Sequence, residues 1–215
     1  LIDGYNIKNP KKILHAQRVK TALISTILHD SGYVQESYDS EGTGAKYTRT
    51  HVERSIDFMR EYFKKINLSE ADFLSASNMI KCTGVTTQIS ALCFNDAAEE
   101  ILGKMLGVAD LIGQMSSRVY LEKLLFLYYE FKEGDVPGYH SELNLLEGTV
   151  RFYDEMKEKF KHEFDGVDKY ALHHFKKRYG IKTDLYHNSI ERTINYLKGI
   201  LKTPQGYKEN LRRKV

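Results

Sequence analysis

The sequence predicts an all-α fold, and three observations carry that prediction. Apolar residues recur at helical spacing along most of the chain, only three prolines interrupt 215 residues, and no segment sustains the alternation of a half-buried strand. With 41% hydrophobic residues the chain can bury a sizeable core.

The first helix is expected over Pro10 to Asp30, because proline suits a first helical turn and Ile13, Leu14, Val19, Ala22, Leu23 and Ile27 share a helical period. Residues 1–9 read as the end of a helix entered from upstream, and Gly32 as a stop. From Ser31 to Thr50 the chain is polar, glycine-containing and aperiodic, hence a loop. A second helix runs from about Thr50 to Lys65. Ser69 with Asp72 three residues on forms a capping-box pattern for a third, ending near Lys81. Thr83 to Phe94 reads as a break. Asn95 or Asp96 caps the next helix, which carries Ile101, Leu102, Met105 and Leu106 through Asp110 to Met115, and helical pattern resumes from Ser117 to Lys132. Gly134, Pro137 and Gly138 then separate a main core, residues 1–133, from a C-terminal helical extension, residues 139–203, expected to pack on it. The extension holds three predicted helices: Leu143 to His162, Asp168 to Tyr179 and Asp184 to Leu201. Beyond Pro204 lies a basic stretch with Lys208, Arg212, Arg213 and Lys214, expected to be a solvated tail.

Composition narrows the function. The net charge is +3, from 32 basic and 29 acidic side chains, which demands neither nucleic acid nor an anionic membrane as partner. The aromatic residues suit interhelical gaps better than base stacking. No run approaches the ~20 apolar residues of a membrane span. Two cysteines, Cys82 and Cys93, are too few for a disulfide framework and lack zinc-site spacing, so the expectation is a cytoplasmic protein with free thiols.

The chemistry concentrates at His29-Asp30, which follows the apolar run Leu23 to Leu28, and at Asp110, which sits within Met105 to Ile112. A histidine and two carboxylates placed against apolar helices are costly unless paired or metal-bound. A divalent cation would account for all three. The bland alternative is a helix-capping His29 and an Asp110 paired with Arg118 or Lys123.

His29-Asp30 followed by Gly32, with Asp110 in Val108-Ala109-Asp110-Leu111, resembles the HD-domain superfamily of metal-dependent phosphohydrolases. Ala109 to Met115, with Tyr120 and Leu127 to Phe131, is similar to the cyclic-nucleotide phosphodiesterase branch. His51 with Ser55 four positions on fits the histidine helix that follows the loop. The resemblance covers residues 10–132. It implies an HD-domain-like helical bundle holding one or two divalent ions (Mn, Fe, Zn or Mg). His29, Asp30 and Asp110 would be ligands. His51 would be a further ligand or would assist the reaction together with Asp30, and the substrate would be a small phosphorylated molecule such as a nucleotide. Lys46, Arg54, Lys123 and Gln114 are the candidate substrate-binding residues, three cations suited to phosphate and one amide a helical turn from Asp110.

The chain also departs from the family pattern. The upstream histidine ligand has no match: His15 is the only histidine before His29 and stands about 21 Å away along one predicted helix. The segment Met79 to Thr83 supplies no histidine for a second metal, no Gly-Tyr-Pro follows His29-Asp30, and the Glu-Asp pair of guanosine-tetraphosphate hydrolases is missing. These departures leave a non-catalytic module that binds a nucleotide or a protein partner as the alternative function.

Overall fold

The computed structural model describes residues 1–203, 205 and 207–211. Among the described residues there are ten α-helices and no strand: α1 (Ile2–Lys8), α2 (Ala16–Leu28), α3 (His51–Lys65), α4 (Glu70–Lys81), α5 (Ala97–Met115), α6 (Tyr120–Glu133), α7 (Glu142–His162), α8 (Tyr170–Tyr179), α9 (Leu185–Ile200) and α10 (Tyr207–Leu211).

The caps read from the sequence are made. Ser69 and Asp72 form a reciprocal capping box at α4. Asp96 caps α5 by accepting from the Glu99 amide at 2.8 Å. Such side chains satisfy amide donors that a helix start otherwise leaves open.

Helix α5 is the centre of the molecule. It packs against α2, α4 and α9, and Leu102, Met105, Leu106, Val108 and Ile112 are all buried along it. Glycines let α4 come close: a Cβ at Gly107 would stand 2.3 Å from the Cys82 carbonyl oxygen. The main core continues through Leu121 and Leu124 of α6 and Leu145 and Leu146 of α7 to Ile190, Ile194 and Leu197 of α9. The region before Gly134 and the region after it therefore share one apolar cluster. A smaller cluster, Met59 and Phe63 of α3 with Phe73, Ala76 and Ile80 of α4, holds α3 in place. Each of these large side chains contributes roughly 1.5–3 kcal/mol by leaving water.

Two expectations need correction, and a third, helix within residues 1–9, is met. Helix α2 begins at Ala16, not Pro10, because the Leu14 amide is taken by the Asn6 side chain at 3.0 Å and buried Leu14 turns the chain back onto α1. Residues 2–8 are themselves a helix, held to α8 by Asp3, which meets His174 at 2.7 Å and Arg178 Nε at 3.1 Å. The stretch 207–211 is helical rather than a solvated tail. The Tyr207 hydroxyl donates to Glu142 at 2.8 Å, Lys208 pairs with the same carboxylate, and Leu211 is buried. Arg212, Arg213 and Lys214 lie outside the described residues. No helix among the described residues is long and apolar enough to cross a membrane.

Candidate functional site

Helix α2 ends on His29, and the chain then makes a tight 3-10 turn over Ser31–Tyr33. His29 Nδ1 lies 2.8 Å from the Thr26 carbonyl oxygen. A carbonyl only accepts, so Nδ1 carries a proton and Nε2 faces the site. That Nε2 is buried and has no hydrogen-bond partner. It stands 3.3 Å from Asp30 Oδ2 and 3.6 Å from Asp110 Oδ1. Asp110 comes from the C-terminal half of α5 and is oriented by Gln114, whose Nε2 donates to Oδ1 at 2.7 Å.

The turn is fixed from the side by α3. The Ser55 hydroxyl, fully buried, donates to the His29 carbonyl at 2.6 Å and accepts from the Gly32 amide at 2.8 Å. Only glycine fits at position 32, since a Cβ there would lie 2.1 Å from the His51 carbonyl oxygen. Arg54 completes the clamp: its Nε donates to the Gly32 carbonyl at 2.7 Å and its Nη2 to the Val34 carbonyl at 2.9 Å, while the guanidinium lies 3.6 Å over the Tyr47 ring. His51 opens α3 and repeats the His29 pattern, with Nδ1 donating to the Thr48 carbonyl three residues back at 2.7 Å. Its ring is stacked on Tyr33, centroids 4.4 Å apart.

Electrostatics ties these groups together. Burial opposes a charge on His29, but the Asp110 and Asp30 carboxylates outweigh it and raise the imidazole to about 9. Partial burial raises Asp30, the nearby His29 and His51 counteract the rise, and the Asp110 charge adds to it. Burial also pushes the Tyr33 hydroxyl up, with the charges of Asp30, Glu130 and Asp110 adding to it.

The structure thus gathers His29, Asp30, Asp110 and Gln114, with His51 close enough to act on Asp30. Lys46 is directed elsewhere, to Asp39 and the Glu41 carbonyl, and Lys123 is exposed on α6. His15 caps the opposite end of α2. Tyr33 and Glu130 were not singled out from the sequence. Tyr33, directly after Gly32, had the only available signal, an aromatic next to the turn.

The donor types suit a divalent ion. Ligand atoms about 2.1 Å from a metal and 90–110° apart are separated by roughly 3.0–3.4 Å, close to the His29–Asp30 and His29–Asp110 spacings. A buried nitrogen with its proton fixed on the far side, hydrogen-bonded to a carbonyl, is the usual state of a ligating histidine. Among the described residues, however, no group of three or more His, Cys, Asp or Glu is already arranged to hold an ion. The chemistry of the donor set fits a metal; the arrangement itself is that of an ion pair, with Asp110 a few tenths of an ångström too far.

A family model described as Npun_R2479-like matches residues 16–190. That span includes the whole turn, its clamp on α3 and Asp110. No curated protein and no solved structure matches the chain.

Proposed function

The chain belongs to the Npun_R2479-like family, and we propose that it is a metal-dependent phosphohydrolase with an HD-domain-like helical core. Its substrate would be a nucleotide or related small phosphate ester, cyclic nucleotides among them. The observation that carries the reading is the buried Nε2 of His29, which makes no hydrogen bond and faces Asp30 of the turn and Asp110 of α5.

His29, Asp30 and Asp110 would hold a divalent ion (Mn, Fe, Zn or Mg). Such an ion supplies an acidified water and neutralises negative charge on phosphorus-bound oxygens. The chain's own groups do the rest. Gln114 fixes the Asp110 carboxylate. The Thr26 and Thr48 carbonyls set both histidine tautomers, leaving His51 Nε2 as a proton acceptor beside Asp30. Stacking on Tyr33 fixes the plane of the His51 ring. A cytoplasmic setting, with two free thiols, agrees with this chemistry.

A second reading rests on the ion pair. His29 and Asp110 satisfy one another's charge without a metal, as a regulatory module that binds a nucleotide or protein partner without hydrolysis would allow. Elemental analysis of chelator-free protein separates the two. The hydrolase reading expects near-stoichiometric transition metal, lost in His29→Ala and Asp110→Ala, together with metal-dependent cleavage of bis(p-nitrophenyl) phosphate or cyclic nucleotides. No bound metal after manganese, iron, zinc and magnesium have each been offered overturns it.

A further inference from the structure

Helices α2 and α5 meet through polar groups at both ends of their contact. At one end His29 of α2 faces Asp110 of α5. At the other, Arg18 of α2 reaches Asp96 at 2.7 Å and Glu99 at 3.9 Å, at the start of α5. The spacing is the same on both helices: eleven residues separate Arg18 from His29, and eleven separate Glu99 from Asp110. Eleven residues are close to three full turns, so each pair returns to one face, about 16 Å apart. The helices run parallel, in register, pinned at two points.

We propose that Arg18 and Glu99 are positioning residues for the site: they set the register of α2 against α5 and thereby the separation of His29 from Asp110. The inference rests on the metal-site reading above. Two features favour the polar lock over side-chain interdigitation. Between its ends, α2 fully buries only the small residues Thr21, Ala22 and Ser25, while Val19, Ile24 and Leu28 pack half-buried against the two apolar clusters, so the interdigitation that resists sliding is shallow. Glu99 is fully buried, and a buried carboxylate is costly without partners. Its Oε2 accepts from the Asn95 side chain at 2.8 Å and the Asn95 amide at 3.3 Å, its Oε1 has no hydrogen bond, and Arg18 is the cation that offsets its charge from 3.9 Å. Arg18 also reaches the buried Ser75 hydroxyl of α4 at 3.5 Å, so one guanidinium ties three helices. A slip of one residue would move His29 about 1.5 Å along α2 and turn it by about 100°, removing Nε2 from Asp110.

The test uses Mn²⁺ alone as the probe, with free ion counted by electron paramagnetic resonance at a temperature where circular dichroism shows native helix content. Arg18→Met keeps the apolar stem and removes the charge. Groups hydrogen-bonded to metal ligands change affinity about 10- to 100-fold when removed, and the loss of Arg18, acting from about 16 Å away, is expected to weaken it up to about 10-fold. Lys104→Met is the control. Lys104 is buried on α5 and pairs with Glu100 and Asp165, each at 2.6 Å, away from α2, so its loss should destabilise the fold and leave the Mn²⁺ affinity unchanged. Unchanged affinity in Arg18→Met, or equal weakening in both variants, overturns the proposal. If Arg18→Met fails to fold, Glu99→Gln, which keeps the side-chain shape, is read in the same way. Wild-type chain that binds no Mn²⁺ instead overturns the metal-site reading on which the proposal stands.

Discussion

Replacing Ser55 by alanine tests how the site is held. The hydroxyl is fully buried and makes two hydrogen bonds, one to the His29 carbonyl at 2.6 Å and one from the Gly32 amide at 2.8 Å. Alanine removes both, leaving the Gly32 amide buried without a partner and the part-buried His29 carbonyl without its donor. An unsatisfied buried group costs about 1–3 kcal/mol and a part-buried one about 1 kcal/mol, so the pair should cost about 2–4 kcal/mol. For a chain of this length 1 kcal/mol lowers the melting temperature by about 2–4 °C, which sets the expected drop at about 5–15 °C. Urea unfolding followed by circular dichroism gives the free energy, and the slope should stay constant because the surface exposed on unfolding is unchanged. The turn carrying His29 and Asp30 would also loosen from the helix carrying His51, so Mn²⁺ affinity should fall with stability. A loss below about 0.5 kcal/mol, the range of an ordinary surface substitution, would refute the clamp.

Three further outcomes follow from neighbouring features. Gly32→Ala forces a Cβ to 2.1 Å from the His51 carbonyl oxygen and 2.8 Å from the Ser55 amide, both backbone, so it should cost about 3 kcal/mol or more in the same urea assay. Burial pushes the Cys82 thiol up to about 12, whereas Cys93 is exposed; a thiol reagent should label one cysteine in the folded chain and a second only on unfolding. His187 lies 3.0 Å from buried Asp168, and that ion pair raises the imidazole above its ordinary 6.5 despite burial. Its contribution should be complete below pH 6.5 and vanish as pH rises through the folded value. The stability gap between wild type and Asp168→Asn should therefore narrow toward alkaline pH.

The helices with strong local signals were legible in the sequence. Ser69 with Asp72 and the cap at Asp96 announce α4 and α5 through neighbours only three residues apart. Helix α10 was not legible and α1 only as the end of a helix, because what holds them is distant. Asp3 depends on His174 and Arg178, and Tyr207 on Glu142. The same distinction runs through the site. His29-Asp30 and Asp110 could be noticed because they are polar residues in apolar stretches. The sequence suggests Arg54 for phosphate, yet its guanidinium is engaged by the Gly32 and Val34 carbonyls. Carbonyls have no residue identity, so no pattern of side chains announces that arrangement. The Thr26 and Thr48 carbonyls that set the two histidine tautomers are hidden for the same reason.

The proton on His29 decides between the two functional readings. Held at about 9 by Asp110 and Asp30 against the opposing effect of burial, the imidazole is charged at neutral pH in the metal-free chain. A group raised from 6.5 in the folded state stabilises the fold fully below 6.5, and that stabilisation is lost as pH rises through about 9. Metal-free protein should accordingly lose stability between these limits, and Asp110→Asn should flatten the loss. A divalent ion needs the Nε2 lone pair, so binding must expel that proton. Calorimetry of Mn²⁺ binding at pH 7, in two buffers of different ionisation enthalpy, should report close to one proton released, with affinity rising toward pH 9. Binding with no proton release would place the ion away from His29. Loss of stability with pH but no binding at any pH would leave the ion pair as a structural latch and favour the regulatory module.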